Sequence, residues 1–365
     1  MKKRLLMIAA AMMLAATSLA GCASSVNADE TVLKVNDTKL SAGVANFYAR
    51  YIQAQYETYY AAYLGDNMWN TEADEGKTYE ESVKDSVMDT LELMLVLEDH
   101  MEDYDVSLTD EEKEAVKKTA KQFDEDNSLE NKEKIRSDND SVERLLTLLA
   151  IQQKMTDAIQ EDADTKVSDD EAAQKKMDYV LFSYTKEDSS KDESGSDSEK
   201  SAEMTGEEKA DVKKKAEEFA KSAQEDNLQF AELAKEADAE VQSATFDSES
   251  TTPSEDLIAA ADKLEKGEVS DVVETDEGCY VARVTSLKDK DATETKKTEI
   301  VQQRKTDLFN EVTDEWKDDA DIKVYKSVWE KVDFNDVSVT IKQTESEPYT
   351  DKIQTDDQAE TDEEE

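Results

Sequence analysis

Between Ser41 and Glu161 apolar residues recur three and four positions apart, a period that commits this stretch to amphipathic helices. Ser41 to Leu64 places Val44, Phe47, Tyr51, Ile52, Tyr59 and Tyr63 near one face. Thr78 to Tyr104 opens on a capping box, Thr78 and Glu81, and carries Val83, Val87, Leu91, Met94, Leu95, Leu97 and Met101. A second box, Thr109 and Glu112, starts a shorter helix to about Asp124. Ser141 to Glu161 predicts a long helix with Val142, Leu145, Leu149, Met155 and Ile159 on its apolar side. One short alternating segment, Thr31 to Asn36, reads as a strand ahead of these helices.

After a third box, Ser168 and Glu171, the pattern changes. Met177 to Tyr184 reads as a strand, and Lys186 to Glu208 is a Ser, Glu, Asp and Lys segment too polar to pack, a solvated insertion. Helices are expected at Glu207 to Gln224, Leu228 to Glu236 and Pro253 to Leu264, with a short strand near Ala244 to Asp247. Strands at Glu268 to Glu274 and Cys279 to Ser286 close the unit. This β-α-α-β-α-β-β order is incompatible with a doubly wound sheet, which alternates strand and helix regularly. Thr298 to Trp316 is helical again, Asp321 to Tyr325 is a strand, and an amphipathic stretch runs on to about Ile341. Residues 343–365 form an acidic tail without apolar period, expected to be disordered.

Acidic residues outnumber basic ones 91 to 44, for a net charge of −47, which argues against a nucleic-acid partner. The single histidine, His100, leaves no His-rich metal cage and no hydrolase triad, and it reads as a structural or surface residue. Two cysteines exclude a disulfide framework and a Cys-based zinc site. The pairs Asp169-Asp170 and Asp318-Asp319 lack a calcium-binding loop and read as solvated faces. With 8 glycines and 2 prolines, glycine-rich phosphate loops are nearly excluded as well. The sequence therefore calls for no cofactor and no metal. A surface this acidic repels anionic lipid and draws basic partners by steering.

The first residues are an address. Lys2, Lys3 and Arg4 precede an apolar run from Leu5 to Ala20, too short to span a bilayer as a helix, and 1–21 reads as an export signal. Leu19-Ala20-Gly21-Cys22 resembles the lipobox of bacterial lipoproteins, in which the chain is cut before the cysteine and the thiol is acylated. The resemblance implies lipidation at Cys22, a tether over 22–30, and anchoring to the extracytoplasmic face of a cell membrane. Cys279 then has no intramolecular partner and reads as a small buried apolar residue rather than a nucleophile.

Three segments of the second half carry a further resemblance. Leu264-Glu265-Lys266-Gly267-Glu268-Val269-Ser270-Asp271-Val272-Val273 is similar to the L-x-x-G-E-[IV]-S-x-[PV]-[VF] run of parvulin-type peptidyl-prolyl isomerases. Phe230-Ala231-Glu232-Leu233-Ala234 is similar to their F-x-x-L-A helix, and Gly278 to Val284 to their last strand. The resemblance implies a pocket for X-Pro segments. It puts Tyr179 and Tyr280 where the family usually has histidines, Asp238 near a carboxylate or thiol position, and Pro253, Leu257 and Phe246 at the apolar, substrate-binding wall. The family's glycine-rich turn is replaced by Val241 to Ser248.

The chain as a whole resembles the PrsA and SurA foldases, and the lipobox favours the lipoprotein branch. The implied fold is α+β: a mainly helical chaperone domain built from both chain ends, 31–165 and 291–342, with a parvulin-like domain of the FKBP superfold inserted at 166–290. Thr31 to Asn36 and Asp321 to Tyr325 are expected to pair where the ends meet. The implied function is that of a membrane-anchored foldase binding unfolded or partly folded exported polypeptides, with peptidyl-prolyl isomerisation left open by the two replaced histidines. The alternative is a lipid-anchored scaffold that uses a degenerate parvulin domain to hold one partner; a homodimer is open in either case. Six tyrosines between Tyr48 and Tyr63, Tyr51 and Tyr59 among them, are expected to divide between core packing and a groove for unfolded segments.

Overall fold

The computed structural model describes residues 14–18, 26–65, 67–74, 76–128, 131, 132, 135, 138–185 and 204–341. Cys22, residues 186–203 of the expected insertion and the acidic tail lie outside the described residues. Two compact units emerge, one of Met1–Asp162 with Leu308–Glu365 and the other of Ala163–Asp307.

The first unit begins with β1 (Leu14–Ser18), β2 (Thr31–Val35) and β3 (Thr38–Ser41). β2 and β3 form an antiparallel hairpin turned at Asn36, whose φ of 49° suits asparagine. The sequence reading missed β3 because a four-residue segment with one apolar residue, Leu40, shows no period. Helix α1 (Ala42–Tyr59) starts where the Ser41 side chain accepts from the Val44 N–H. It breaks at Tyr60 before a single turn, α2 (Ala61–Leu64), so the continuous helix expected to Leu64 is corrected to two pieces. A short hairpin, β4 (Glu72–Asp74) and β5 (Lys77–Thr78), leads into α3 (Tyr79–Asp99). α4 (Asp110–Asp126) and α5 (Asn139–Glu161) follow. Both capping boxes read from the sequence, Thr78 with Glu81 and Thr109 with Glu112, are formed. Phe47 on α1 meets Phe123 on α4 edge to face at 5.0 Å.

The second unit contains β6 (Lys175–Ser183), α6 (Gly206–Glu225), α7 (Phe230–Glu236), β7 (Val241–Phe246), α8 (Glu255–Ala261), β8 (Val273–Glu274) and β9 (Gly278–Ser286). The expected element order stands, and the strands form one antiparallel sheet in the order β7-β6-β9-β8. Several details are corrected. The Ser168 and Glu171 box caps only a turn, because the Glu171 carboxylate is held by Arg304 instead of returning to the cap. Residues 205–208 belong not to the insertion but to the α6 start, a capping box of Thr205 and Glu208. The strand expected over Glu268 to Glu274 shrinks to β8 and one bridge, Val269 to Arg283.

Helix α9 (Lys290–Asp319) then carries the chain back to the first unit, starting eight residues earlier than its apolar period suggested. It is followed by β10 (Ile322–Val324), α10 (Lys326–Trp329) and β11 (Val337–Ile341). β10 pairs antiparallel with β2, the pairing expected of the two chain ends. The amphipathic stretch expected after Tyr325 is instead one helical turn and a strand, and β11 pairs with β1.

A polar face of α1 binds this returning segment. Arg50, Gln53 and Glu57 lie three and four residues apart, hence on one side of the helix. Arg50, only 1% exposed, donates to the Asp333 carbonyl at 2.9 Å and to the Gln53 Oε1 at 2.7 Å. Gln53 donates to the carbonyls of Phe334 at 2.9 Å and Val337 at 2.7 Å. Glu57 Oε2 accepts from the Val339 N–H at 2.7 Å, and its Oε1 accepts from the Trp69 indole at 2.9 Å. From α3, Glu80 accepts from the Phe334 N–H at 3.0 Å. Burial raises the Glu80 pKa against its hydrogen bonds, and burial lowers that of Lys84 beside it.

Arg50→Leu should cost about 2–4 kcal/mol, since it strips a buried carbonyl of its donor and opens the face of α1. Urea unfolding followed by tryptophan fluorescence reads this unit alone, because Trp69, Trp316 and Trp329 all belong to it. In the second unit, burial of Asp247 is outweighed by bonds from Gln174, Lys296 and the Glu249 N–H, lowering its pKa from the ordinary 3.8 to about 2. A depressed carboxylate stabilises the fold above its unfolded pKa and loses that contribution as pH falls through the folded value. Between about pH 4 and pH 2, the protection of β6 and β7 amides relative to their intrinsic exchange rates should therefore fall more steeply in the native chain than in Asp247→Asn.

Candidate functional site

The sheet of the second unit has two buried faces, and strand alternation assigns residues to each. Val180, Phe182, Cys279 and Val281 pack under α6 and α7 against Phe219 and Phe230. Met177, Tyr179, Tyr280, Ala282 and Val284 face the other way, where Phe246 and Leu257, Ile258 and Ala261 of α8 cover them. The structure thus brings four of the expected site residues together on one face: Tyr179, Tyr280, Phe246 and Leu257.

The tyrosine rings lie 6.1 Å apart, centroid to centroid, at 49°. Their hydroxyls diverge. Tyr179 donates to Gln242 Oε1 at 2.6 Å, its register partner on β7, and Tyr280 donates to Glu277 Oε2 at 2.7 Å in the turn before β9. Burial raises both pKa values, that of Tyr280 further through the Glu277 carboxylate, so both hydroxyls stay protonated at neutral pH. Tyr179 is 8% exposed, Tyr280 2%, and Phe246 and Leu257 are fully buried. Phe246 and Leu257 are part of a packed cluster with the two rings.

Beside the Tyr280 hydroxyl, an open cavity of about 750 Å³ is lined by Glu277, Glu274, Tyr184, Lys209 and Pro253. Pro253 therefore stands at an opening next to the tyrosine face, whereas Leu257 lies inside it. Asp238, with a φ of 51°, lines a depression with Ala231, Lys235 and Val241. Gln242 supplies the hydrogen-bond acceptor beside Tyr179. Gln242 and Glu277 were missed because neither belongs to a motif; only the register of β7 and the turn before β9 reveal them.

Cys279 is fully buried, its Sγ 3.3 Å from the Tyr184 hydroxyl, which also donates to Glu274 at 3.0 Å. Burial raises the thiol pKa, which keeps it un-ionised and a poor nucleophile. The Leu264 to Val273 run owes its residue types to this sheet. Gly267 adopts a φ of 90°, its N–H donates to the Val284 carbonyl at 2.7 Å, and its carbonyl accepts from Asn227 at 2.7 Å. Ser270, 3% exposed, accepts from the Ala282 N–H through its hydroxyl at 2.9 Å. Gly278 lies so close to β6 that a Cβ would meet the Phe182 carbonyl at 2.2 Å.

In the first unit the tyrosine helix divides. Tyr48, Tyr51 and Tyr56 pack against the core, while Tyr59 is 59% and Tyr63 88% exposed. His100 stacks on Trp316 at 4.0 Å and is bonded to Asp103, a structural placement. Among the described residues no group of three or more His, Cys, Asp or Glu side chains could hold a metal ion, and no helix is long and apolar enough to cross a membrane.

Residues 191–300 match the family described as the PPIC-type PPIase domain. The second unit thus carries a parvulin-type domain. Tyr280, Asp238, Phe246, Pro253 and Leu257 fall inside the match, and Tyr179 lies ahead of it. No curated protein matches the chain. Solved structures similar to it include the foldase protein PrsA from Lactococcus lactis, at 14% identity and a TM-score of 0.33, covering 83% of this chain and 97% of that one. Peptidylprolyl isomerase PrsA from Bacillus cereus is 19% identical over 73% of this chain and 100% of that one, with a TM-score of 0.30. A structure from a study of the SurA-like chaperones PEB4 and Cj1289 of Campylobacter jejuni is 11% identical over 81% of this chain and 99% of that one, with a TM-score of 0.27.

Leu257→Ala should destabilise the second unit by about 2–5 kcal/mol by leaving a cavity under the tyrosines. Tyr280→Phe should cost only about 1 kcal/mol, because Glu277 regains water at the open cavity. Hydrogen exchange of the β6 and β9 amides under mild denaturant reads both.

Proposed function

We propose that this chain, with its parvulin-type domain set between two halves of a helical unit, is a foldase anchored by lipid at the extracytoplasmic face of a membrane. It holds exported polypeptides as they emerge unfolded, and the parvulin-type domain recognises their X-Pro segments. The observation that carries the reading is the PPIC-type match over 191–300, on a β-α-α-β-α-β-β unit whose flanks return to one another through β2 and β10. The lipobox-like residues ending at Cys22 support the anchor, and the exposed tyrosines at the end of α1 support contact with apolar segments.

Rotation about an X-Pro bond meets a barrier of about 18–20 kcal/mol set by amide resonance. A pocket lowers it only by binding the twisted amide better than the planar forms. That requires an open apolar cup and polar groups free to follow the imide. Here Phe246 and Leu257 are packed on the tyrosines, and the hydroxyl protons are committed to Gln242 and Glu277. These features favour recognition without rapid isomerisation, and they also suit the second reading, a scaffold that holds one partner.

Exchange NMR on an X-Pro peptide should show the same interconversion rate with the native chain, Tyr179→Phe, Tyr280→Phe or no protein, while the native chain slows aggregation of an unfolded client. An acceleration by the native chain that Tyr280→Phe abolishes would establish catalysis and overturn the recognition-only reading. Capture at the cell surface separates foldase from scaffold: many unrelated clients support the first, one stable partner the second.

A further inference from the structure

Strand β11 has two edges, and the structure treats them differently. Successive residues of a strand turn their N–H and C=O groups to opposite edges. The Val339 N–H goes to Glu57, the Ile341 N–H to Thr58 Oγ1 at 2.9 Å and the Val337 carbonyl to Gln53, so this edge is sealed by side chains of α1. The backbone groups of Ser338 and Thr340 face the other edge, where Thr17 and Ala15 of β1 stand opposite them in the ladder. Ala16, opposite Val339, is 4% exposed and packed into the same core. The partner of this edge is therefore an extended, uncharged segment with a small residue at its centre.

On the export reading, that partner is a piece of the signal. If the chain is cut ahead of Cys22, β1 leaves with the signal, and the donors and acceptors of Ser338 and Thr340 lose their strand. An unpaired strand edge with an apolar slot beside it is a template for a further strand. Thr58, which seals the end of β11, directly precedes Tyr59 and Tyr60, 59% and 51% exposed, so aromatic surface continues from that edge. The segments 14–18 and 337–341 both lack charge, and a replacement strand meets no ionic partner along the ladder.

We infer that in the processed protein the β11 edge binds an extended, uncharged segment of an unfolded polypeptide as an added antiparallel strand, in the place that Leu14–Ser18 occupies before cleavage. The uncut chain carries its own occupant and is closed to such segments. This rests on the export and foldase reading above.

The test uses the full chain and a chain beginning at residue 22 with Cys22→Ser, their tryptophan-detected unfolding compared to establish that both are folded. The probe is a labelled peptide of residues 12–20, followed by fluorescence anisotropy. The processed chain should bind it one to one, and the full chain at least about tenfold more weakly. N-methylation of the peptide at the residue matching Ala15, which faces Thr340, should weaken binding about tenfold by removing a ladder donor, whereas N-methylation at Ala16 should not. Equal binding by both chains, or equal effects of the two N-methyl groups, overturns the inference. So does a processed chain that dimerises through β11 and excludes the peptide. Aggregation of an unfolded client is measured alongside: suppression without peptide binding sinks the edge site and leaves the foldase standing, and loss of both sinks the two together.

Discussion

The fold depends on α1 satisfying the backbone of a segment nearly three hundred residues further along the chain. Arg50 and Gln53 donate to the carbonyls of Asp333, Phe334 and Val337, and Glu57 accepts from the N–H of Val339. A buried irregular segment is ordinarily costly, because each unpaired peptide group carries a desolvation penalty. Supplying those partners from one helical face lets the chain bring Phe334, Val337 and Val339 into the core without a full sheet around them.

Within that second unit, the same economy of partners shapes the tyrosine face. Tyr179 and Tyr280 bury large rings, and each hydroxyl needs an acceptor once it leaves water. Gln242 and Glu277 provide them from opposite sides, which pulls the two hydroxyls apart and lets Phe246 and Leu257 settle over the rings. The result is a packed face whose polar groups are Gln242 beside Tyr179 and the acidic opening at Glu274 and Glu277.

Much of this was legible beforehand where the signal is local. The boxes at Thr78 and Thr109 start the helices they announce, the element order of the second unit stands, and the Leu264 to Val273 run has a physical reason in Gly267 and Ser270. Local signals failed where a distant residue outbid a near one, as when Arg304 takes the Glu171 carboxylate and leaves Ser168 capping a turn. Of the site residues, Tyr179 and Tyr280 could be paired from strand period and resemblance, but their acceptors could not. Asp238, placed by resemblance, lines a depression with Ala231, Lys235 and Val241.

The sequence by itself determined that the chain is α+β, which residues alternate across the parvulin-type sheet, and that the surface is strongly acidic. These follow from period, caps and charge, which each segment carries within itself. Only the tertiary structure decided that Arg50, Gln53 and Glu57 form a seam, that Gln242 and Glu277 hold the tyrosines, and that Leu14–Ser18 covers the edge of β11. Each is a bargain between hydrogen-bonding groups far apart in sequence, and desolvation makes such partners obligatory without specifying in advance which residues they are.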